Sequence, residues 1–166
     1  LSAPNGYMVV DIGGGTTDIA VLSLNDIAVS TSTTIAGDTF DEAIVTYIRR
    51  RHGLVIGTTT AEEIKITIGC VTERPEEVSM TVKGRDVKTG LPRDILVTSS
   101  EMLELLSRPA RLIVDEILNV LELASPELVG DISKNGIVLT GGGSLIWGMD
   151  RIIHDRTEIP CMVADN

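Results

Sequence analysis

The chain has 166 residues, 43% of them apolar and 23% charged, enough to bury one core without disulfides or metals. A formal net charge of -10 leaves no basic footprint for nucleic acid, so no nucleic-acid partner is expected. With aromatic residues at only 2%, the core must be built from Ile, Val, Leu, Met and Ala.

Cys70 and Cys161 show no CxxC or Cys/His metal spacing, and His52 and His154 stand alone. Buried free thiols in a reducing compartment are the simplest reading. No apolar run reaches the length of a bilayer crossing, and no signal peptide is visible. The sequence opens at Leu1 directly before a strand and closes at Asn166 just after one, so a piece of something longer is expected.

In chain order, Tyr7 to Ile12 is an apolar, Val-rich run that meets glycines, a buried strand entering a turn. Thr17 to Leu24 predicts a second strand and Asn25-Asp26 a turn. Ile27, Val29, Thr31, Thr33 and Ile35 alternate with small polar residues, a third strand that completes an antiparallel meander. A helix follows, with Asp38 as the expected N-cap, Asp41 and Glu42 at the positive end of its dipole, and a stripe of Phe40, Ala43, Ile44, Tyr47 and Ile48. Arg49, Arg50 and Arg51 suit its C-terminus and Gly53 its left-handed stop.

Thr60 to Gly69 predicts a short helix opened by a Thr60/Glu63 capping box, although Ile64, Ile66 and Ile68 alternate as a strand would. Val78 to Val82 and Asp94 to Thr98 predict a hairpin with a long loop around Gly84, Gly90 and Pro92. Residues 52–97 thus interrupt the surrounding pattern as an inserted unit. Thr98 with Glu101 makes a second capping box, opening a helical region to Ala124 that Pro109 should kink or divide and Ser125-Pro126 should end. Ile137 to Thr140 predicts a buried strand, Leu145 to Asp155 a helix and Cys161 to Ala164 a last strand. Three antiparallel strands, then helix, insertion, helix, strand, helix and strand is the order of a ribonuclease-H-like α/β layer.

The chemistry concentrates in Asp11-Ile-Gly-Gly-Gly-Thr-Thr-Asp18. Gly13, Gly14 and Gly15 have no Cβ, so their N–H groups can converge on a phosphate. Asp11, at the strand's end, can hold Mg²⁺ through waters, because that ion keeps most of its hydration. Walker and dinucleotide loops open a helix; here the glycines join two strands. A phosphate loop on a β-hairpin points to the actin, sugar-kinase and heat-shock-chaperone ATPases.

A second cluster, Gly141, Gly142 and Gly143, follows a strand and explains itself as a tight turn, or as a place where an adenosine approaches the backbone. Gly37 permits close approach, and Asp38 can cap the helix or sit near a ribose, capping being the simpler reading. Glu62, Glu63 and Lys65 have the reach for a base or ribose edge, but alone they read as a solvated helix face.

Taken together these segments resemble one family. Asp11 to Asp18 is similar to the second phosphate motif of the actin superfamily. Ala36-Gly-Asp-Thr-Phe-Asp-Glu-Ala-Ile44, Tyr47-Ile-Arg-Arg50, Ile56-Gly57, Thr60-Ala-Glu-Glu-Ile-Lys65, Gly84-Arg-Asp86, Thr89-Gly-Leu-Pro92 and Gly136-Ile-Val-Leu-Thr-Gly-Gly-Gly143 resemble the MreB/Mbl bacterial actins across nearly the whole chain. The resemblance implies an actin-like ATPase lobe, a mixed sheet with flanking helices, made of subdomain IIA (residues 1–51 and 98–166) and a small inserted α+β subdomain IIB (residues 52–97). It implies ATP and Mg²⁺ as cofactors. Gly14, Gly15 and Thr16, with Gly13, would address the β- and γ-phosphates and Asp11 the metal. Glu62 and Lys65 would lie near the adenosine, as would Gly37, Gly142 and Gly143.

It also implies head-to-tail filaments, a cytoplasmic place at the inner face of the cell membrane, and cell-wall elongation proteins as partners. The first phosphate loop, the glutamate that positions water and the membrane-inserting segments belong to other parts of the family's chain. This stretch alone is therefore expected not to turn ATP over. Rival readings are a chaperone ATPase, which would need a longer insertion, a sugar kinase, which would need substrate residues in the cleft, and an FtsA-like division protein.

Overall fold

A computed structural model describes residues 6–24 and 26–164; Asn25 of the expected turn and the two chain ends lie outside them. Strands β1 (Tyr7–Ile12), β2 (Thr17–Ser23) and β3 (Asp26–Thr33) form the expected antiparallel meander. β1 also pairs in parallel with β7 (Ile137–Thr140), and β7 with β8 (Cys161–Val163), so the five strands run β3-β2-β1-β7-β8. Such a mixed sheet with flanking helices is the ribonuclease-H-like architecture that the element order implied.

Alternation drives the sheet. Met8, Val10 and Ile12 of β1 and Ile19 and Val21 of β2 are completely buried, while on the other face of β1 Tyr7 and Asp11 are exposed and Val9 is half-buried. Helix α1 (Gly37–His52) seats Phe40, Ile44 and Ile48 in the same core, each contributing about 1.5–3 kcal/mol of burial. Gly53 ends it at φ 63°, its N–H bonding back to Arg49 O at 3.0 Å. The helix does not use Asp38 as its N-cap. Ala36 holds that position, its N–H donating to Thr39 Oγ1 at 3.1 Å, and Asp38 falls inside the first turn, because the amides of Gly37 and Asp38 find backbone acceptors elsewhere.

A second sheet, in the order β4-β5-β6, carries the middle of the chain. β5 (Ser79–Asp86) and β6 (Pro92–Thr98) are longer than the sequence pattern suggests, and the turn between them correspondingly short, closed by Asp86 N–H to Leu91 O at 2.8 Å. β4 (Leu54–Val55) has only two residues and no sequence signature; its pairing with Asp86 and Arg85 creates it. Helix α2 (Thr58–Ile68) starts one half-turn before Thr60, with Gly57 as N-cap, so the expected Thr60/Glu63 box is not formed. The helix reading of this ambiguous stretch holds because Ala61, Ile64 and Ile68 bury one face.

Helix α3 (Ser99–Leu123) opens on the expected box: Thr98 N–H donates to Glu101 Oε2 at 2.8 Å, and Glu101 N–H to Thr98 Oγ1 at 3.4 Å. Pro109 lies inside it and does not divide it. The ring costs about 3 kcal/mol of helix, but Met102, Leu106, Ala110, Ile113 and Ile117 on the same helix are fully buried, and that outweighs it. Ser125-Pro126 ends α3 and at once begins α4 (Pro126–Asn135), an element the sequence reading lacks: Ser125 Oγ accepts from Leu128 N–H at 3.3 Å and Pro126 takes the first helical place. The helix expected over Leu145 to Asp155 is two elements, a 3-10 turn (Gly142–Leu145) and α5 (Met149–Thr157), separated at Gly148, φ 88°. Among the described residues no helix is long and apolar enough to cross a membrane.

Candidate functional site

The hairpin between β1 and β2 is closed at its base by Ile12 opposite Thr17, and Gly13 N–H donates to Thr16 O at 3.0 Å. That leaves Gly14, Gly15 and Thr16 exposed at the tip. Buried Thr17 pins the segment before α1 to the hairpin through Oγ1 to Ile35 O at 2.7 Å. The first turn of α1 then docks on the loop, Gly37 N–H donating to Gly13 O and Asp38 N–H to Gly14 O, both at 2.8 Å. These two donors are helix N-terminal amides with no partner inside their own helix, and the hairpin supplies the acceptors.

The second glycine cluster arrives through the parallel pairing of Asp11 with Thr140. A Cβ on Gly141, whose φ is 83°, would lie 2.5 Å from both Asp11 Oδ1 and Ile12 O; one on Gly143 would lie 2.2 Å from Ile12 Cγ2. Those two positions admit no side chain because the turn after β7 presses on the end of β1. Gly15 and Gly142 differ. Neither takes a left-handed conformation, and a Cβ on either would meet nothing within 4 Å. The chain's own packing does not require glycine there. What glycine does is leave the backbone bare on the exposed side of both loops, the condition for close approach of a phosphate or a nucleoside.

Three carboxylates rim the loops. Asp11 stands exposed at the end of β1, Asp18 accepts from Thr16 Oγ1 at 3.2 Å, and Asp38 Oδ1 sits 3.3 Å from where Gly14 would carry a Cβ. Among the described residues no three His, Cys, Asp or Glu side chains converge to cage a metal. An exposed carboxylate such as Asp11 beside a phosphate loop fits Mg²⁺, which takes one or two protein ligands and completes its shell with water and phosphate oxygens.

Of the remaining expected site residues, Glu62 and Glu63 are exposed on α2, as a solvated face requires. Lys65 is not part of that face: it is 8% exposed, its ammonium 2.9 Å from Asp41 Oδ1 and 3.4 Å from Gly37 O. Asp41, read from sequence as a dipole charge, is 7% exposed. The signal for Lys65 was present, since it shares a helical face with Ala61 and Ile68; the identity of its partner was not. The site thus gathers Asp11, Gly13 to Thr16, Gly37, Asp38, Lys65 and Gly141 to Gly143 around one hairpin.

A meander whose first turn is this glycine hairpin, with β7 laid parallel against its first strand, is the arrangement of the actin-like class, and the fold belongs there. The backbone superposes on an MreB5 of Spiroplasma citri bound to AMPPNP with a TM-score of 0.93 at 42% identity, over 97% of this chain and 48% of that one. The same protein bound to ADP gives 0.94 at 41% identity, over 98% and 49%. A MamK double helical filament shares the fold, with a TM-score of 0.79 at 24% identity, over 96% and 50%.

The chain belongs to the MreB/Mbl protein family, whose model matches residues 1–166. It is 48% identical to the cell shape-determining protein Mbl of Bacillus cereus over 98% of its own length, and 47% identical to the cell shape-determining protein MreB of Escherichia coli over all of it. It spans about half the length of these relatives, 49% and 48%. Family membership leaves the chaperone, sugar-kinase and FtsA-like readings without support.

Proposed function

We propose that this chain is the ATP-binding lobe of an MreB-like bacterial actin, with residues 1–51 and 98–166 as subdomain IIA and residues 52–97 as subdomain IIB. The observation that carries the reading is the pair of facing glycine loops with backbone left bare at Gly15 and Gly142, where packing asks for no glycine. In this reading the amides of Gly14, Gly15 and Thr16 receive the β- and γ-phosphates, the Gly13 amide being spent on Thr16 O rather than on the nucleotide, and Asp11 holds Mg²⁺ through its waters. Gly37, Asp38, Glu62, Glu63 and Lys65 face the nucleoside, with Gly141 to Gly143 closing the opposite side. Bound Mg-ATP would supply the cleavable phosphoanhydride. The chain's own part is to orient it, and in-line attack requires groups on the far side of the nucleotide as well.

The wider function follows the same reading. Nucleotide-bound subunits stack head to tail, a heterologous contact that does not close and so gives an open filament. Such filaments lie in the cytoplasm at the inner face of the membrane and guide the cell-wall elongation machinery, which sets cell shape. The nucleotide-bound MreB5 structures and the MamK filament support nucleotide binding and self-assembly as the starting point.

The experiment is sedimentation of the full-length protein with and without Mg-ATP, beside an Asp11→Ala variant. Pelleting that needs ATP and weakens in the variant is expected. A protein that stays soluble while turning ATP over would overturn the filament reading.

A further inference from the structure

Lys65 carries a charge into the interior, and the structure shows what holds it there. Its ammonium has three donors. The ammonium forms an ion pair with Asp41 Oδ1 at 2.9 Å, an oxygen with no hydrogen bond of its own, and donates to Gly37 O at 3.4 Å; no further acceptor occurs among the described residues. Asp41 lies on α1 one turn beyond Gly37, and Lys65 in the last turn of α2, so the pair joins the two helices. It also reaches the phosphate hairpin. The point where Gly37 would carry a Cβ is 3.4 Å from Lys65 Nζ, 3.4 Å from Gly14 Cα and 3.1 Å from Gly13 O. The ammonium therefore stands at the foot of the glycine loop with one N–H unspent.

A lysine stem has four rotatable bonds, and an unpaired ammonium at this depth would swing toward water. The carboxylate of Asp41 fixes it. We infer that Asp41 is a positioning residue: it holds the Lys65 ammonium against the Gly37 carbonyl, with its remaining donor free for the nucleotide. The inference rests on the nucleotide-binding reading. Asp41 itself touches no nucleotide; 7% exposed and already committed to Lys65, it acts only through that side chain.

The test is a double-mutant cycle in the full-length protein, Asp41→Asn, Lys65→Met and both together. Affinity is read by titration with a fluorescent ATP analogue, and folding by the melting temperature without nucleotide. Asp41→Asn and Lys65→Met are each expected to weaken binding roughly tenfold, the scale of coupling between contacting charged residues. In the Lys65→Met background, Asp41→Asn should then cost nothing further. Asp41→Glu, which keeps the charge, should recover part of the affinity.

If Asp41→Asn lowers the melting temperature but leaves affinity within twofold of wild type, the pair is a structural strut and the inference fails. It fails equally if Asp41→Asn weakens binding as much without Lys65 as with it. Should the single variant not fold, the double variant, which leaves no buried charge unpaired, together with Asp41→Glu still decides the matter. A wild-type protein that binds no nucleotide would bring down the functional reading first, and this inference with it, an outcome distinct from either of the others.

Discussion

His52 and Glu101 lie 49 residues apart in sequence and meet at 2.6 Å, Nε2 to Oε1. The same carboxylate accepts from Tyr47 Oη at 2.8 Å and from the Thr98 N–H at 2.8 Å. His52 stands where the chain leaves the large sheet for the small one, and Thr98 where it returns. One side chain thus clasps both crossings. Glu101→Ala should cost about 2–3 kcal/mol, combining a lost helix cap with hydrogen bonds to a charged group, while Glu101→Gln should cost less. Urea unfolding of the two variants measures the difference.

The clasp makes stability fall at low pH. Burial raises the Glu101 carboxyl, but the Thr98 amide, Tyr47 and His52 together outweigh it and hold its pKa below the ordinary carboxylate value. A depressed folded-state pKa gives stability that is present above the unfolded-state pKa and lost as pH drops through the folded one. The melting temperature should decline below about pH 4.5 in the wild type, and the Glu101→Gln protein should show a shallower decline.

At the alkaline end Tyr47 contributes beside the two buried thiols. Burial, then the bond to Glu101 and its charge, push the phenol from 10.0 up to about 12. A raised folded-state pKa gives stability that is whole below the unfolded value and lost as pH rises through the folded one. Stability should begin to fall above about pH 9, where the unfolded chain's thiols ionise, and more steeply between about pH 10 and pH 12, and Tyr47→Phe should flatten only that steeper part. Absorbance of phenolate against pH, with the melting temperature alongside, checks both statements.

The two kinds of glycine in the site separate under substitution. Gly143→Ala places a methyl 2.2 Å from Ile12 Cγ2 and should cost about 1–3 kcal/mol of stability. Gly15→Ala meets nothing within 4 Å and should leave stability within about 0.5 kcal/mol. If the proposed function holds, it should nonetheless weaken nucleotide binding roughly tenfold, because the methyl would cover the backbone that the proposal gives to the phosphate. Thermal unfolding and nucleotide titration on both variants separate the two effects.

Both cysteines should be inert. Cys70 is 1% exposed, and burial raises its thiol. Burial and then the charge of Asp150 push Cys161 up to about 12. Since the thiolate is the reactive form, labelling by a disulfide reagent at pH 8 should be slow in the native protein and should reach both thiols after denaturation.

The features legible in the residues alone are local. The meander, the glycine hairpin from Asp11 to Asp18, the apolar stripe of α1 with its Gly53 stop and the Thr98/Glu101 box are written in residues within a few positions of one another. Periodicity and capping act over that range, so one segment suffices to read them. The Ser125-Pro126 start of α4 is of the same local kind, an N-cap serine followed by a proline at the first helical place.

The tertiary structure decided whatever depends on partners distant in sequence. Strand β4 exists because Asp86 and Arg85 pair with it. Asp38 lost its capping role because the α1 amides found acceptors in the hairpin, at Gly13 and Gly14. Gly141 and Gly143 face Asp11 and Ile12 only through the parallel pairing of β1 and β7. Lys65 left the solvated face because Asp41, on another helix, offered a buried carboxylate at 2.9 Å. A buried charge is tolerated only with its counter-charge in place, and only the packing of α1 against α2 put the two together.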